Sequence, residues 1–77
     1  MNSNFWEETK KDLRKKLSSQ HYNTWIEPIQ FESLSENKIE LTVSNKFIKD
    51  WIERNFKEDI ISCANKINNN IKNININ

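Results

Sequence analysis

The stretch Asn45–Ile67, NKFIKDWIERNFKEDIISCANKI, is the longest periodic run in the chain. Its apolar residues fall at Phe47, Ile48, Trp51, Ile52, Phe56, Ile60, Ile61, Ala64 and Ile67. These steps of three and four trace one face of an α-helix. Asn45 stands where its side-chain oxygen can accept from an unpaired amide of the first turn. Lys49, Glu53 and Lys57 follow at intervals of four and suit an outer face. Neither Pro nor Gly interrupts the run. The spacing therefore predicts one continuous helix of roughly 30 Å, about the width of a small domain. A stripe that broad cannot stay wet, so the rest of the chain must supply the surface that covers it.

Upstream of this run the period is two. Lys38-Ile39-Glu40-Leu41-Thr42-Val43 alternates cleanly, with Ile39, Leu41 and Val43 on one face of a half-buried strand. Ile29, Phe31 and Ser33 alternate with Gln30, Glu32 and Leu34 in a second strand. Ser35-Glu36-Asn37 is the polar turn between them. Before the strands come two helical patterns. From about Asn4 to Leu17, Trp6, Thr9, Leu13 and Leu17 form a narrow apolar stripe with Phe5 beside it. Asn4 is the candidate cap, with Glu7 three residues on as in a capping box. Ser18 or Ser19 then caps a short helix carrying Tyr22, Trp25, Ile26 and Ile29, and Pro28 stops it. Downstream, Asn68-Asn69-Asn70 breaks the long helix. Ile74 and Ile76 alternate with Asn in the tail, so Lys72–Ile76 reads either as a third strand or as an Asn-rich linker. The order is helix, helix, strand, strand, helix and a final strand: an α+β layer with helices covering one face of a small sheet.

Composition narrows the function classes. Seventy-seven residues make one domain and one core. Hydrophobic content is 35%, concentrated in three Trp, four Phe and many Ile. Twelve basic and eleven acidic residues leave a net charge of +1, which is not the footprint of a tight duplex binder. The local exception is Lys10-Lys11-Asp12-Leu13-Arg14-Lys15-Lys16. It reads as a solvated helix face, with weak single-strand contact through Lys10, Lys11, Arg14 and Lys15 as the alternative. One Cys excludes an internal disulfide, and Cys63 reads as a small buried hydrophobe. A single His and a single Cys far apart in the chain make no metal site. There is no Gly for a phosphate loop and no nucleophile–base–orienter set, so neither catalysis nor a cofactor is expected in this segment. No signal-peptide core and no membrane-length apolar run is present, and a cytoplasmic location without membrane contact is expected.

Several pieces together carry a specific resemblance. They are Phe5-Trp6, Leu17-Ser18, Tyr22-x-x-Trp25-Ile26-x-Pro28, the apolar strand ending at Val43, and Asn45-Lys46-Phe47-Ile48-x-Asp50-Trp51-Ile52 followed by Phe56 and Ile60. Over residues 3–67 the chain resembles the N-terminal domain (domain I) of the DnaA family of bacterial chromosomal replication initiators. The resemblance implies a KH-like domain over residues 1–67, with residues 68–77 as third strand or start of a flexible linker. In that family a linker, an AAA+ ATPase that uses ATP, and a duplex-DNA-binding domain follow. It also implies an interaction module that self-associates weakly, helps load the replicative helicase and docks regulators of initiation, with weak single-strand binding also linked to it. A free-standing relative that caps an initiator is the alternative. By position, Trp6 matches the family's self-association tryptophan, beside Phe5. His21 stands where some members carry a Glu used in helicase recruitment, and Asn45 and Phe47 match positions used by helicase or regulators. A largely neutral imidazole at His21 cannot make a carboxylate's charged contact at pH 7.

Each of these residues also has a plainer reading. Trp6 can pack in the core with Leu13 instead of anchoring a second copy. His21 can be a solvated residue at a helix start. Phe47 lies beside the central Ile48 and is either an exposed binding anchor or a flank packed on Trp51. Trp25 and Trp51, both mid-stripe, are assigned to the core. A true KH domain clamps nucleic acid with a GXXG loop, which a chain without Gly cannot form.

Overall fold

The computed structural model describes residues 3–35, 37–68 and 70–77. Glu36 of the strand-to-strand turn and Asn69 of the helix stop lie outside the described residues. The elements run α1 (Ser3–Lys16), α2 (Ser19–His21) continuing as a π-turn (Tyr22–Ile26), β1 (Gln30–Leu34), β2 (Lys38–Thr42), α3 (Lys46–Asn55), α4 (Lys57–Ile67) and β3 (Asn73–Ile76). This is the α+β arrangement expected from the alternating periods.

The run Asn45–Ile67 is two helices rather than one. Asn45 caps α3 as its chemistry suggests: extended at φ −159° and ψ 170°, it accepts from the Ile48 amide at 2.9 Å. At Phe56 the backbone leaves helical geometry, with φ −126° and ψ −3°. The Phe56 amide still bonds Ile52 at 2.8 Å and its carbonyl accepts from Ile60 at 2.9 Å, so the chain turns with little loss of hydrogen bonding. The cause is tertiary. A straight helix of roughly 30 Å would overrun a domain whose longest dimension is 27 Å. Bending at Phe56 lets α4 pack on α1 while the rings of Trp51 and Phe56 meet the second helical segment. The expected ladder of Lys49, Glu53 and Lys57 forms no ion pair among the described residues. Charges pair between helices instead, Lys16 with Asp59 at 3.3 Å and Lys66 with Asp12 at 3.1 Å.

The sheet order is β1-β2-β3, with β1 antiparallel and β3 parallel to β2. Strict alternation fails in β1. A bulge between Phe31 and Ser33 shifts the phase, so Phe31 and Leu34, three apart, are the half-buried positions. The tail is a strand. Asn65 on α4 holds the Ile71 backbone from both sides, donating to its carbonyl at 2.8 Å and accepting from its amide at 3.0 Å. That clamp delivers Ile71, Ile74 and Ile76 into the core, where all three are buried. The outer sheet face is polar: Thr42 donates to Glu32 at 2.9 Å, and Asn75 donates to Glu40 at 2.8 Å.

Asn4 lies inside α1 and does not cap it. Phe5, Trp6, Thr9 and Leu13 form the buried stripe, with the Thr9 hydroxyl bonded back to the Phe5 carbonyl at 2.8 Å. Cys63 is fully enclosed, and burial followed by the nearby Asp12 carboxylate pushes its thiol up to about 11. Such a thiol is inert packing at neutral pH.

Candidate partner-docking site

Two segments build the site. The Ser18 hydroxyl accepts from the His21 amide at 3.2 Å and starts α2. The next turn widens: the Glu27 amide reaches back to the Tyr22 carbonyl at 2.9 Å, the i→i−5 bond of a π-turn. Pro28 then ends it. Tyr22 and Ile26 point into the core from this turn. Burial, then the nearby Glu27, raise the Tyr22 phenol above its ordinary value. His21 and Trp25, also four apart, reach across to the other segment. The His21 ring lies edge-on to Phe56 at 5.8 Å, and Trp25 stacks on Trp51 at 5.2 Å and 21°. The second helical segment therefore runs antiparallel beside α3, with His21 at the far end of α3 and Trp25 at its middle.

On α3, Asn45 sets the first turn and thereby aims Phe47. Phe47 is 70% exposed, and Trp51, one turn on, is 41% exposed. With the half-buried Trp25 behind Trp51, they form an apolar ledge on an otherwise charged helix. Placing Trp51 in the core is thus corrected, while Trp25 is half-buried and packs against the core. Ile48 and Ile52 occupy the inward line of α3, and Trp51, about 100° around the helix from Ile52, falls to the flank. The spacing of Phe47 and Trp51, four apart and offset from Ile48 and Ile52, is the signal that could have revealed it. Phe47, Asn45 and His21 all lie on the surface. His21 and Phe47 do not meet. Phe47 and Phe56, whose ring His21 touches, stand nine positions apart at opposite ends of α3, roughly 13 Å along the helix.

Phe5 and Trp6 sit elsewhere and inside. Trp6 is 4% exposed and lies nearly parallel to Phe31 at 6.2 Å; Phe5 meets the same ring at 6.1 Å. As folded, this monomer offers neither ring as a surface anchor, because β1 covers them. Trp6 Nε1 is buried without a hydrogen-bond acceptor among the described residues. The basic run is also divided. Lys10 is folded down between Glu7 and Glu27, at 3.8 and 3.9 Å. Arg14 lies 4.9 Å over the Tyr22 ring and donates to its hydroxyl at 3.1 Å. Lys11 and Lys15 stay exposed, with Asp12 and Lys66 nearby. Only part of the run is therefore a free cationic surface.

An aromatic ledge at the start of a helix, backed by a stacked tryptophan, is a shape several small interaction domains could share. What decides the family is that the DnaA N-terminal domain pattern matches residues 3–66, from the first residue of α1 almost to the end of α4. The chain belongs to the DnaA N-terminal domain family. It is 38% identical over 64 residues to the chromosomal replication initiator protein DnaA of Geotalea daltonii, covering 83% of this chain and 14% of that protein. Against the DnaA of Geotalea uraniireducens it is 36% identical over 62 residues, 80% of this chain and 14% of the relative. The DnaA of Methylobacillus flagellatus gives 33% over 64 residues, 83% and 13%. The chain thus spans about a seventh of the curated DnaA proteins it resembles. This DnaA N-terminal domain shows no helix, among the described residues, long and apolar enough to cross a membrane.

Proposed function

We propose that this domain is a non-catalytic docking module of a bacterial chromosomal replication initiator, and that the Phe47–Trp51–Trp25 ledge receives the replicative helicase or a regulator of initiation. The exposure of Phe47 beside a braced tryptophan pair carries the reading, since large rigid aromatics are where interface energy concentrates. Asn45 contributes by holding the first turn of α3, and His21 marks the other end of the same side. Weak self-association belongs to the same proposal. Several initiators on one origin raise the local concentration of the domain, so contacts of micromolar to millimolar strength act there. Neither cofactor nor metal enters this function. ATP would belong to the AAA+ part of a full-length initiator, and the location is the cytoplasm.

Amide-shift mapping with the cognate helicase tests the reading. Shifts should cluster on residues 21–28 and 45–55, and Phe47→Ala should weaken binding by about tenfold or more, a loss of at least ~1.4 kcal/mol. At 70% exposure its own stability should change by less than about 0.5 kcal/mol. Shifts confined to α1 and α4 would refute the ledge. Shifts on Lys11, Arg14 and Lys15 with a single-stranded oligonucleotide, and none with protein, would favour the nucleic-acid alternative.

A further inference from the structure

The π-turn ends in the bond from the Glu27 amide to the Tyr22 carbonyl, at 2.9 Å. The side chains of the same two residues are the ones that α1 holds. Lys10, a buried lysine, lies 3.9 Å from the Glu27 carboxylate. Arg14, one turn further along α1, covers the Tyr22 ring at 4.9 Å and donates to its hydroxyl at 3.1 Å. The Tyr22 phenol in turn has the Glu27 carboxylate beside it. Spacing explains the match. Lys10 and Arg14 are four apart and share one face of a regular helix. Tyr22 and Glu27 are five apart, and in a regular helix of about 100° per residue they would point roughly 140° from each other. A turn widened to i→i−5 bonding brings them nearer to one side, where both reach α1. Such turns are uncommon and gather at functional sites. This one carries Trp25, whose ring stacks on Trp51 at 5.2 Å.

We infer that Lys10 and Arg14 are positioning residues of the docking ledge, an inference that rests on the proposed function: from α1 they hold the π-turn wide and so fix Trp25 behind Trp51. If the turn tightened to i→i−4 bonding, Trp25 would rotate about the axis relative to Tyr22 and leave its stack. Trp51 would then lose its brace. A buried ammonium needs a partner for its charge. Glu7, at 3.8 Å, lies on the same helix as Lys10, whereas Glu27 ties it to another element. Arg14 adds a planar guanidinium that stacks and donates at once, a geometry that an ammonium does not reproduce. The basic run is therefore divided by task. Lys10 and Arg14 hold the π-turn, while Lys11 and Lys15 face solvent.

The test sets Lys10→Met combined with Arg14→Leu against Lys11→Met combined with Lys15→Met, both in the 77-residue chain. Each pair removes the same charge from α1, and Met and Leu keep much of the apolar stem. The exciton couplet of the stacked indoles in circular dichroism, identified by its loss in Trp25→Phe, reads the placement of Trp25. Hydrogen exchange at the Glu27 amide, compared with the urea midpoint, reads the π bond apart from global stability. Titration with the cognate helicase reads docking. In the Lys10/Arg14 variant the couplet should fall by about half or more, Glu27 exchange should rise about tenfold beyond what the midpoint explains, and helicase binding should weaken about fivefold. The Lys11/Lys15 variant should keep the parent couplet and exchange. A Lys10/Arg14 variant with the parent couplet and exchange overturns the inference, and so does an equal change in both variants. A lost couplet with unchanged helicase binding leaves the positioning role standing and refutes docking on the ledge. If the Lys10/Arg14 variant fails to fold, Glu27→Gln decides: it removes the partner charge at an exposed position, and an unchanged couplet and exchange there overturn the inference.

Discussion

Trp6 is where burial and interface roles separate most sharply, and Trp6→Ala distinguishes them. The indole is 4% exposed and stacked on Phe31. Truncating a buried Trp to Ala costs roughly 3–5 kcal/mol in lost transfer energy and residual cavity. Against this stands the indole Nε1, buried without an acceptor among the described residues. Removing that donor returns roughly 1–3 kcal/mol. The net loss centres on about 2 kcal/mol, a large fraction of a small domain's total stability. At roughly 4–8 °C per kcal/mol, the melting temperature should fall by about 8–16 °C. Trp6→Phe keeps a ring against Phe31 and discards the orphaned donor, so it should stay within about 1.5 kcal/mol of the parent. Urea unfolding followed by far-ultraviolet circular dichroism reads both variants without relying on the remaining tryptophans. A Trp6→Ala domain that keeps the parent midpoint but no longer self-associates would refute the reasoning. It would mean that the ring stands on the surface and that β1 does not cover it in solution.

Three further expectations follow from particular contacts. Asn45→Ala removes the oxygen that holds the Ile48 amide and should cost about 1 kcal/mol of stability by urea unfolding, whereas Asn45→Asp should retain most of it. The Asp12 carboxyl is held below its ordinary value, chiefly by its bond with Lys66. A group whose folded pKa is lowered stabilises above its unfolded pKa, so this contribution should vanish as pH falls through the lowered value. Asp12→Asn should flatten that acid limb of the urea midpoint, most visibly at low salt. Cys63, with its thiol pushed up to about 11 and fully enclosed, should react with a disulfide reagent at neutral pH only on unfolding. A labelling rate independent of urea would show the site to be open.

Much of this protein is legible residue by residue because the deciding interactions are local. Asn45 and Ser18 each cap the helix they precede, Pro28 stops a helix, and Ile39 and Leu41 alternate into the core, all through the chemistry and spacing of near neighbours. Cys63 is buried because the face it shares with Ile60 and Ala64 is apolar. The place of Phe47 beside Ile48 sets it off the inward line but leaves open an exposed anchor or a flank on Trp51, and the structure exposes it. The matching pattern over residues 3–66 likewise lies in the order of residues alone.

What periodicity could not decide depends on where other elements lie. The helix breaks at Phe56 because two different partners wait on either side of it, a fact absent from its own apolar spacing. The offset of Trp51 from Ile48 and Ile52 is visible in the spacing, but only the position of the π-turn gives it Trp25 to stack on. Trp6 is interior because β1, bulged at Glu32, brings Phe31 over it. The tail is a strand because Asn65, on a helix, seizes Ile71 and delivers Ile74 and Ile76 beside β2. Caps and alternation are short-range and belong to the sequence. Helix breaks, the side on which an aromatic emerges and the pairing of a four-residue strand are long-range, and they exist only once the core has assembled around them.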